Sequence, residues 1–219
     1  MIWRLVICSN LALFAGSVSG RVETPKGDPA VVWFEPVTGD AAVSAVPKKT
    51  IDQKNKTFSP HLVSIQSGGS VAFPNHDPFF HNAFSNYSGQ PFDTGLYAPG
   101  TSKTITFRRP GVARVFCNIH PTMSAVIVVV DTPYHAVTNK DGSFTIADLP
   151  AGEYTMRVFT ERASDAELDG LIRKVTVGDA ITLAPIRISG AGFIPPPPHK
   201  NKFGREYPAV IVDQYPGKP

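Results

Sequence analysis

The chain has 219 residues, 42% of them hydrophobic and 18% charged, with a formal net charge of +3. That composition excludes a largely disordered chain. The slight positive balance, with no basic stripe interleaved with aromatics, argues against a nucleic-acid partner. Pro (21) and Gly (18) are both abundant, which suits many short strands joined by turns.

Residues 1–20 read as an export leader. Arg4 gives a basic start, residues 5–15 form a short apolar run, and Ser17-Val18-Ser19 offers small residues for cleavage. The run is too short to span a bilayer, and no later segment is long and apolar enough to do so. No membrane span is therefore expected after leader removal, and the expected location is periplasmic or secreted. Cleavage after residue 20 would take the net charge from +3 to +2, since Arg4 leaves and no acid does. Cys8 would leave as well, and Cys117 would be the sole cysteine. A lone thiol in an oxidising compartment is buried and inert, paired between chains, or a metal ligand.

Residues 21–131 read as one β unit. Ala30-Val31-Val32-Trp33-Phe34 is its early strand, and a polar, Lys-rich stretch follows. Leu62-Val63-Ser64-Ile65 and Ser70-Val71-Ala72-Phe73 are strands turned by Gly68-Gly69. His81 begins another after a Pro-containing loop. Thr101 to Phe107 alternates well, and Val112 to Phe116 leads into Cys117. The nearly continuous apolar run from Ala125 to Val130 predicts a central strand covered on both faces. About seven strands in this length fit a Greek-key sandwich or barrel.

Residues 132–190 read as a second, smaller β sandwich. Asn139-Lys140-Asp141-Gly142 and Leu149-Pro150-Ala151-Gly152 are its turns. Between and after them lie strands at 143–146, 153–159, 173–177 and 181–188, with residues 163–171 favoured as a loop. From residue 191 to 219 the chain is a Pro-rich tail, expected to be mostly extended and partly disordered. Pro195-Pro196-Pro197-Pro198 predicts polyproline II, and Tyr207-Pro208-Ala209-Val210-Ile211-Val212 is a candidate edge strand. The fold class is thus all-β throughout.

The chemistry concentrates in Cys117-Asn118-Ile119-His120-Pro121-Thr122-Met123. It offers a thiolate, an imidazole and a thioether within one short loop, and His81 upstream supplies a second imidazole. His₂Cys with a weak axial Met is the donor set of a type 1 copper site. A strand ending at Cys117 and another starting at Ala125 would hold the three loop ligands near one point. His76 is a rival to His81, five residues earlier in the same loop. His61 reads as a surface residue, and His135 and His199 as solvated residues of the linker and tail. The bland alternative for Cys117 is an inert buried thiol.

These segments resemble the cupredoxins of the plastocyanin and amicyanin type. Phe58-Ser59-Pro60, Leu62-Val63, Gly68, Val71-Ala72-Phe73, Asn75, Asp77 and His81-Asn82 are similar to the family's first copper segment. Cys117-x₂-His120-x₂-Met123 resembles its ligand loop in a short form. The resemblance implies one type 1 copper ion held by His81, Cys117, His120 and Met123. Asn75 and Asn82 would lie beside the ligands, with Asn75 tying the two ligand segments together and steadying the thiolate. The second unit resembles transthyretin-like, carboxypeptidase regulatory-like domains, through its Asp-Gly-x-Phe and Leu-Pro-Ala-Gly-x-Tyr runs.

The expected function is a one-electron carrier, not an enzyme, cycling copper between Cu(I) and Cu(II) with a redox partner protein. Electrons would pass through the edge of His120, with Pro121 and the nearby apolar residues as a docking surface. Phe79 and Phe80 are candidates for that surface or for the core. Two other classes stay open. One is a copper-binding, delivery or interaction module. The other is a copper oxidase or nitrite reductase, which would need further copper sites from four scattered histidines.

Overall fold

The computed structural model describes residues 15–39, 47–86 and 90–208. Its strands are, in chain order, β1 (Ala15–Glu23), β2 (Val31–Pro36), β3 (Lys48–Thr50), β4 (Asp52–Lys54), β5 (Thr57–Ser59) and β6 (Leu62–Gln66). Next come β7 (Ser70–Pro74), β8 (Phe84–Ser85), β9 (Phe92–Asp93), β10 (Ser102–Thr106), β11 (Gly111–Phe116) and β12 (Ser124–Val130). The last are β13 (His135–Val137), β14 (Ser143–Pro150), β15 (Gly152–Phe159), β16 (Arg173–Val177), β17 (Ala180–Thr182) and β18 (Ile186–Arg187). One short helix, α1 (Asp165–Gly170), lies between β15 and β16. The protein is all-β. Among the described residues no helix is long and apolar enough to cross a membrane.

Two sheets, β10-β7-β3 and β6-β12-β11-β8-β9, enclose the first core. Alternation does the sorting. Val71 and Phe73 of β7 join Ala113 and Val115 of β11 and Ala125, Ile127 and Val129 of β12 in one buried cluster. Two further sheets, β14-β1-β17 with β18 beside β1, and β13-β2-β15-β16, enclose a second core. Val18, Val32, Phe34, Phe144, Met156 and Val158 are among its members.

The two sandwiches share a third apolar layer. Val126, Val128 and Val130 of β12 and Leu62 of β6 pack with Val31 of β2, flanked by Trp33, Val137 and Phe159. The expected double coverage of residues 125–130 is met by this arrangement. Odd-numbered side chains enter the first core and even-numbered ones the shared layer, as the two-residue period of a strand requires.

Pairing departs from chain order at the N-terminus. Chain order places the strand at 30–34 in the first unit, but β2 lies between β13 and β15 of the second. The reason is visible in its side chains: Val31 serves the shared layer and Val32 and Phe34 the second core. A strand apolar on both faces is stable only between two layers.

Residues 15–20, read from the sequence as the end of a leader, lie within the described structure. Residues 15–20 form the first half of β1, paired with β14 and β17, and Val18 is fully buried. Residues 1–14 lie outside the described residues, as do residues 209–212 of the candidate edge strand 207–212.

Two smaller expectations are corrected. The segment 163–171 contains α1, whose Ser164 side chain caps it by accepting from the Glu167 N–H. The tail is not simply extended: residues from Pro196 to His199 and on to Tyr207 return to the first unit beside Phe116, Cys117 and Pro121.

Candidate metal centre

The inward register of β11 carries past its end. Ala113 and Val115 point into the first core, and Cys117 follows two residues later, fully buried. The chain then folds tightly back. The Met123 N–H donates to the His120 carbonyl at 3.1 Å, and the Cys117 N–H to the Met123 carbonyl at 3.4 Å. β12 leaves at Ser124 and pairs with β11 along its length, so the ligand loop is anchored at both ends. His81 arrives from the other ligand segment, bridged to Tyr97 by backbone bonds of 3.3 and 2.9 Å.

This brings His81, Cys117 and His120 together as a buried trio, with ligand atoms all within 4.8 Å of one another. Each imidazole presents Nδ1 to the Cys117 Sγ at 3.7 Å. Bonds of about 2.3 Å to sulfur and about 2.0 Å to nitrogen, meeting near 120°, would set S and N about 3.7 Å apart. The spacing therefore suits a first-row metal ion bound by one sulfur and two nitrogens. The donors, a thiolate and two imidazoles, suit copper.

The electrostatics favour a ligand thiolate. Burial alone would raise the Cys117 pKa. The imidazoles of His120 and His81, and the N–H groups of Asn82 and Ile119, more than offset it and bring the thiol down to about 6. His81 is held from behind, its Nε2 2.8 Å from the Asp77 Oδ2. Asp77 also accepts the N–H groups of Asn55 at 2.6 Å and Lys56 at 2.9 Å. A carboxylate behind an imidazole fixes its ring orientation and raises its basicity as a metal ligand.

The remaining candidates divide. Met123 is fully buried in the same cluster as Cys117. Phe79 lies against both imidazoles, with ring centroids 5.2 Å from His81 and 5.4 Å from His120, and Phe80 is half-buried. His76 points away to Asp52 at 3.2 Å and is not part of the trio. His120 is only 2% exposed, so its ring edge is not the open port the sequence led us to expect. The Pro121 carbonyl, in the expected docking surface, is engaged by His199.

The two asparagines exchange parts. Asn75, expected to tie the ligand segments together, instead organises its own loop. It donates to the Phe79 carbonyl at 2.8 Å and accepts the Asp77 N–H at 3.0 Å. Asn82 makes the tie: its Oδ1 accepts the Asn118 N–H at 2.7 Å, and its own N–H favours the Cys117 thiolate. The part played by Asp77 escaped the sequence reading. Its four-residue spacing from His81 was the available signal.

The chain matches no protein-family model and no curated protein. Among solved structures it is similar to a Cu-containing nitrite reductase (NirK) from Thermus scotoductus SA-01. The alignment has 30% identity over 44% of this chain and 25% of that one, with a TM-score of 0.37. The chain thus spans about a quarter of that enzyme's length. A purple cupredoxin from Nitrosopumilus maritimus is similar at 22% identity, over 37% of this chain and 99% of that one, with a TM-score of 0.35. Amicyanin from Paracoccus versutus is similar at 20% identity, over 44% and 97%, with a TM-score of 0.36. These neighbours are copper proteins and cupredoxins matched over part of the chain. The metal assignment rests on the side chains described above.

Proposed function

We propose that this protein binds one copper ion as a type 1 site and serves as an exported one-electron carrier. The observation that carries the reading is the buried Cys117 thiol with two imidazole Nδ1 atoms each 3.7 Å away. His81, Cys117 and His120 would hold the ion in a trigonal set, and Met123 would be the weak axial donor. A bound copper ion would supply the Cu(I)/Cu(II) couple. The chain's own contribution is rigidity and dryness. β11, β12 and the Asp77 and Asn82 contacts fix the donors before metal arrives, and the surrounding core keeps water out. Any export leader would end upstream of β1.

The other four histidines have different partners: His61 meets Glu161, His76 Asp52, His135 Ser64 and His199 Pro121. Among the described residues the only cluster suited to a metal is the trio itself. That distribution favours a carrier over an enzyme with several copper sites. The second sandwich is proposed to be a regulatory-like β domain that buttresses the first.

The test is metal analysis with visible spectroscopy of the purified chain. One copper per chain and an intense thiolate-to-copper band that bleaches on reduction are expected. Retention of that band by Cys117→Ser would overturn the assignment, and more than one tightly held copper would favour an enzyme.

A further inference from the structure

The C-terminal tail meets the ligand loop at three separate points. The Tyr207 hydroxyl donates to the Cys117 carbonyl at 2.7 Å. The His199 Nε2–H donates to the Pro121 carbonyl at 2.7 Å. The Lys202 N–H donates to the Asn118 Oδ1 at 2.9 Å. The tail is stiffened where it makes these contacts. His199 stacks on Phe116, the residue before Cys117, at 3.9 Å and 22°. The Tyr207 hydroxyl also lies 3.2 Å from the His199 Nδ1. Asn201 closes a turn by accepting the N–H groups of Phe203 and Arg205, each at 3.0 Å.

A closed ring of contacts joins the tail to both ligand segments. The Lys202 Nζ meets Asp93 at 2.6 Å. Asp93 accepts from the Asn82 side chain at 3.2 Å. Asn82 accepts the Asn118 N–H, and Asn118 accepts the Lys202 N–H. Asn82 follows His81, and Asn118 follows Cys117. The ring therefore ties the two residues that neighbour the ligands to each other and to the tail.

We propose that residues 199–207 act as an intramolecular clamp on the ligand loop, with His199, Lys202 and Tyr207 as positioning residues for the copper-binding side chains. The proposal rests on the copper reading. The tail thus holds two main-chain carbonyls of the loop, those of Cys117 and Pro121. Holding them limits movement of Cys117 and His120 between oxidation states and slows loss of the ion. The clamp makes the tail part of the site rather than a spacer.

The test uses the full chain and three variants: Tyr207→Phe, which deletes one oxygen, His199→Ala, and His199→Gln, which keeps an N–H donor. Two readouts are compared. The first is the rate at which Ellman's reagent modifies Cys117 in metal-free protein. The second, in copper-loaded protein, is the rate of copper loss to a chelator together with the reduction potential. Losing one such hydrogen bond should speed thiol modification and copper loss by roughly five- to tenfold and shift the potential. His199→Gln should fall between His199→Ala and the parent.

Parent-like thiol reactivity, copper loss and potential in Tyr207→Phe and His199→Ala would overturn the clamp. The two readings fail separately. A parent protein that forms no copper–thiolate band while the variants expose the thiol would sink the copper reading and leave the clamp standing. A parent that binds copper with variants that behave identically would do the reverse. Should His199→Ala fail to fold, Tyr207→Phe decides alone.

Discussion

Asp77 stands behind His81, with its Oδ2 2.8 Å from the Nε2, while the opposite ring nitrogen of His81 faces the Cys117 Sγ at 3.7 Å. The carboxylate thus selects the tautomer that leaves Nδ1 free of its proton and aimed at the site. The Asp77 side chain is only 5% exposed, and the same carboxylate fastens the turn at Asn55 and Lys56.

Asp77→Asn should therefore act in two ways. Copper affinity should fall by about 10- to 100-fold, measured by competition with a chelator. Stability of the metal-free protein should fall by about 1–3 kcal/mol, since an amide can replace only some of the accepted bonds. Burial opposes ionisation of Asp77, but the Lys56 N–H, the His81 imidazole and the Asn55 N–H outweigh it and lower its pKa below 3.8. A carboxylate lowered in this way stabilises the fold above its ordinary value and loses that contribution as pH falls through the folded one. The parent should therefore lose stability as acid is added below about pH 4. Denaturant unfolding at a series of acidic pH values should show a shallower decline in Asp77→Asn.

Metal-free Cys117 should ionise far below an ordinary thiol. Its pKa of about 6 should appear as a midpoint in the ultraviolet thiolate absorbance against pH. The sign for stability follows. Between about pH 6 and the ordinary thiol value of 9.0, the unfolded chain binds a proton that the folded one does not, so stability should rise with pH across that window. His81→Ala should move the midpoint upward. A parent midpoint near the ordinary thiol value of 9.0 would show that the imidazoles do not stabilise the thiolate.

The junction of the two sandwiches carries its own titration. His61 pairs with Glu161, which also meets Arg114 at 3.0 Å. The hydrogen bond to Glu161 is the main reason the His61 pKa is raised above 6.5, against burial, which lowers it. The contribution is fully present below that ordinary value and is lost as pH rises through the folded one. An NMR titration of the His61 ring should give a midpoint above 6.5, and Glu161→Gln should bring it down.

β1 should be as necessary as any later strand. A side chain at Gly16 would place its Cβ 2.5 Å from the Gly178 carbonyl oxygen, and one at Gly20 would sit 2.9 Å from the Phe144 ring. Gly16→Ala should cost about 1–3 kcal/mol in denaturant unfolding, because the obstacle is backbone that cannot turn aside. If the chain is processed on export, sequencing of the mature N-terminus should find residues 15–20 retained. A mature chain that starts at Arg21 and is fully stable would refute the role assigned to these residues.

Much of the site was legible because its chemistry is local. Cys117, His120 and Met123 share one short loop, and strand alternation alone turns Cys117 inward after Ala113 and Val115. The apolar run 125–130 declared a doubly covered strand for the same reason. The part played by Asn82 was not legible, because it depends on which atom meets which across two segments; the support from Asp77 was signalled only by its four-residue spacing from His81. The place of β2 was missed because chain order is a poor guide to pairing when a strand crosses to a distant sheet.

The amino-acid pattern by itself determined that the chain is all-β, where most strands run, and that a thiol, an imidazole and a thioether share one short loop. Such properties follow from residue type and a two-residue period, which act over a few positions. Only the tertiary structure decided that residues 15–36 complete the second sandwich and that His120 is enclosed. It alone also brought Tyr207, 90 residues downstream, onto the Cys117 carbonyl. Those outcomes depend on burying apolar faces and satisfying backbone groups across long loops, and no local pattern encodes which distant partner will do so.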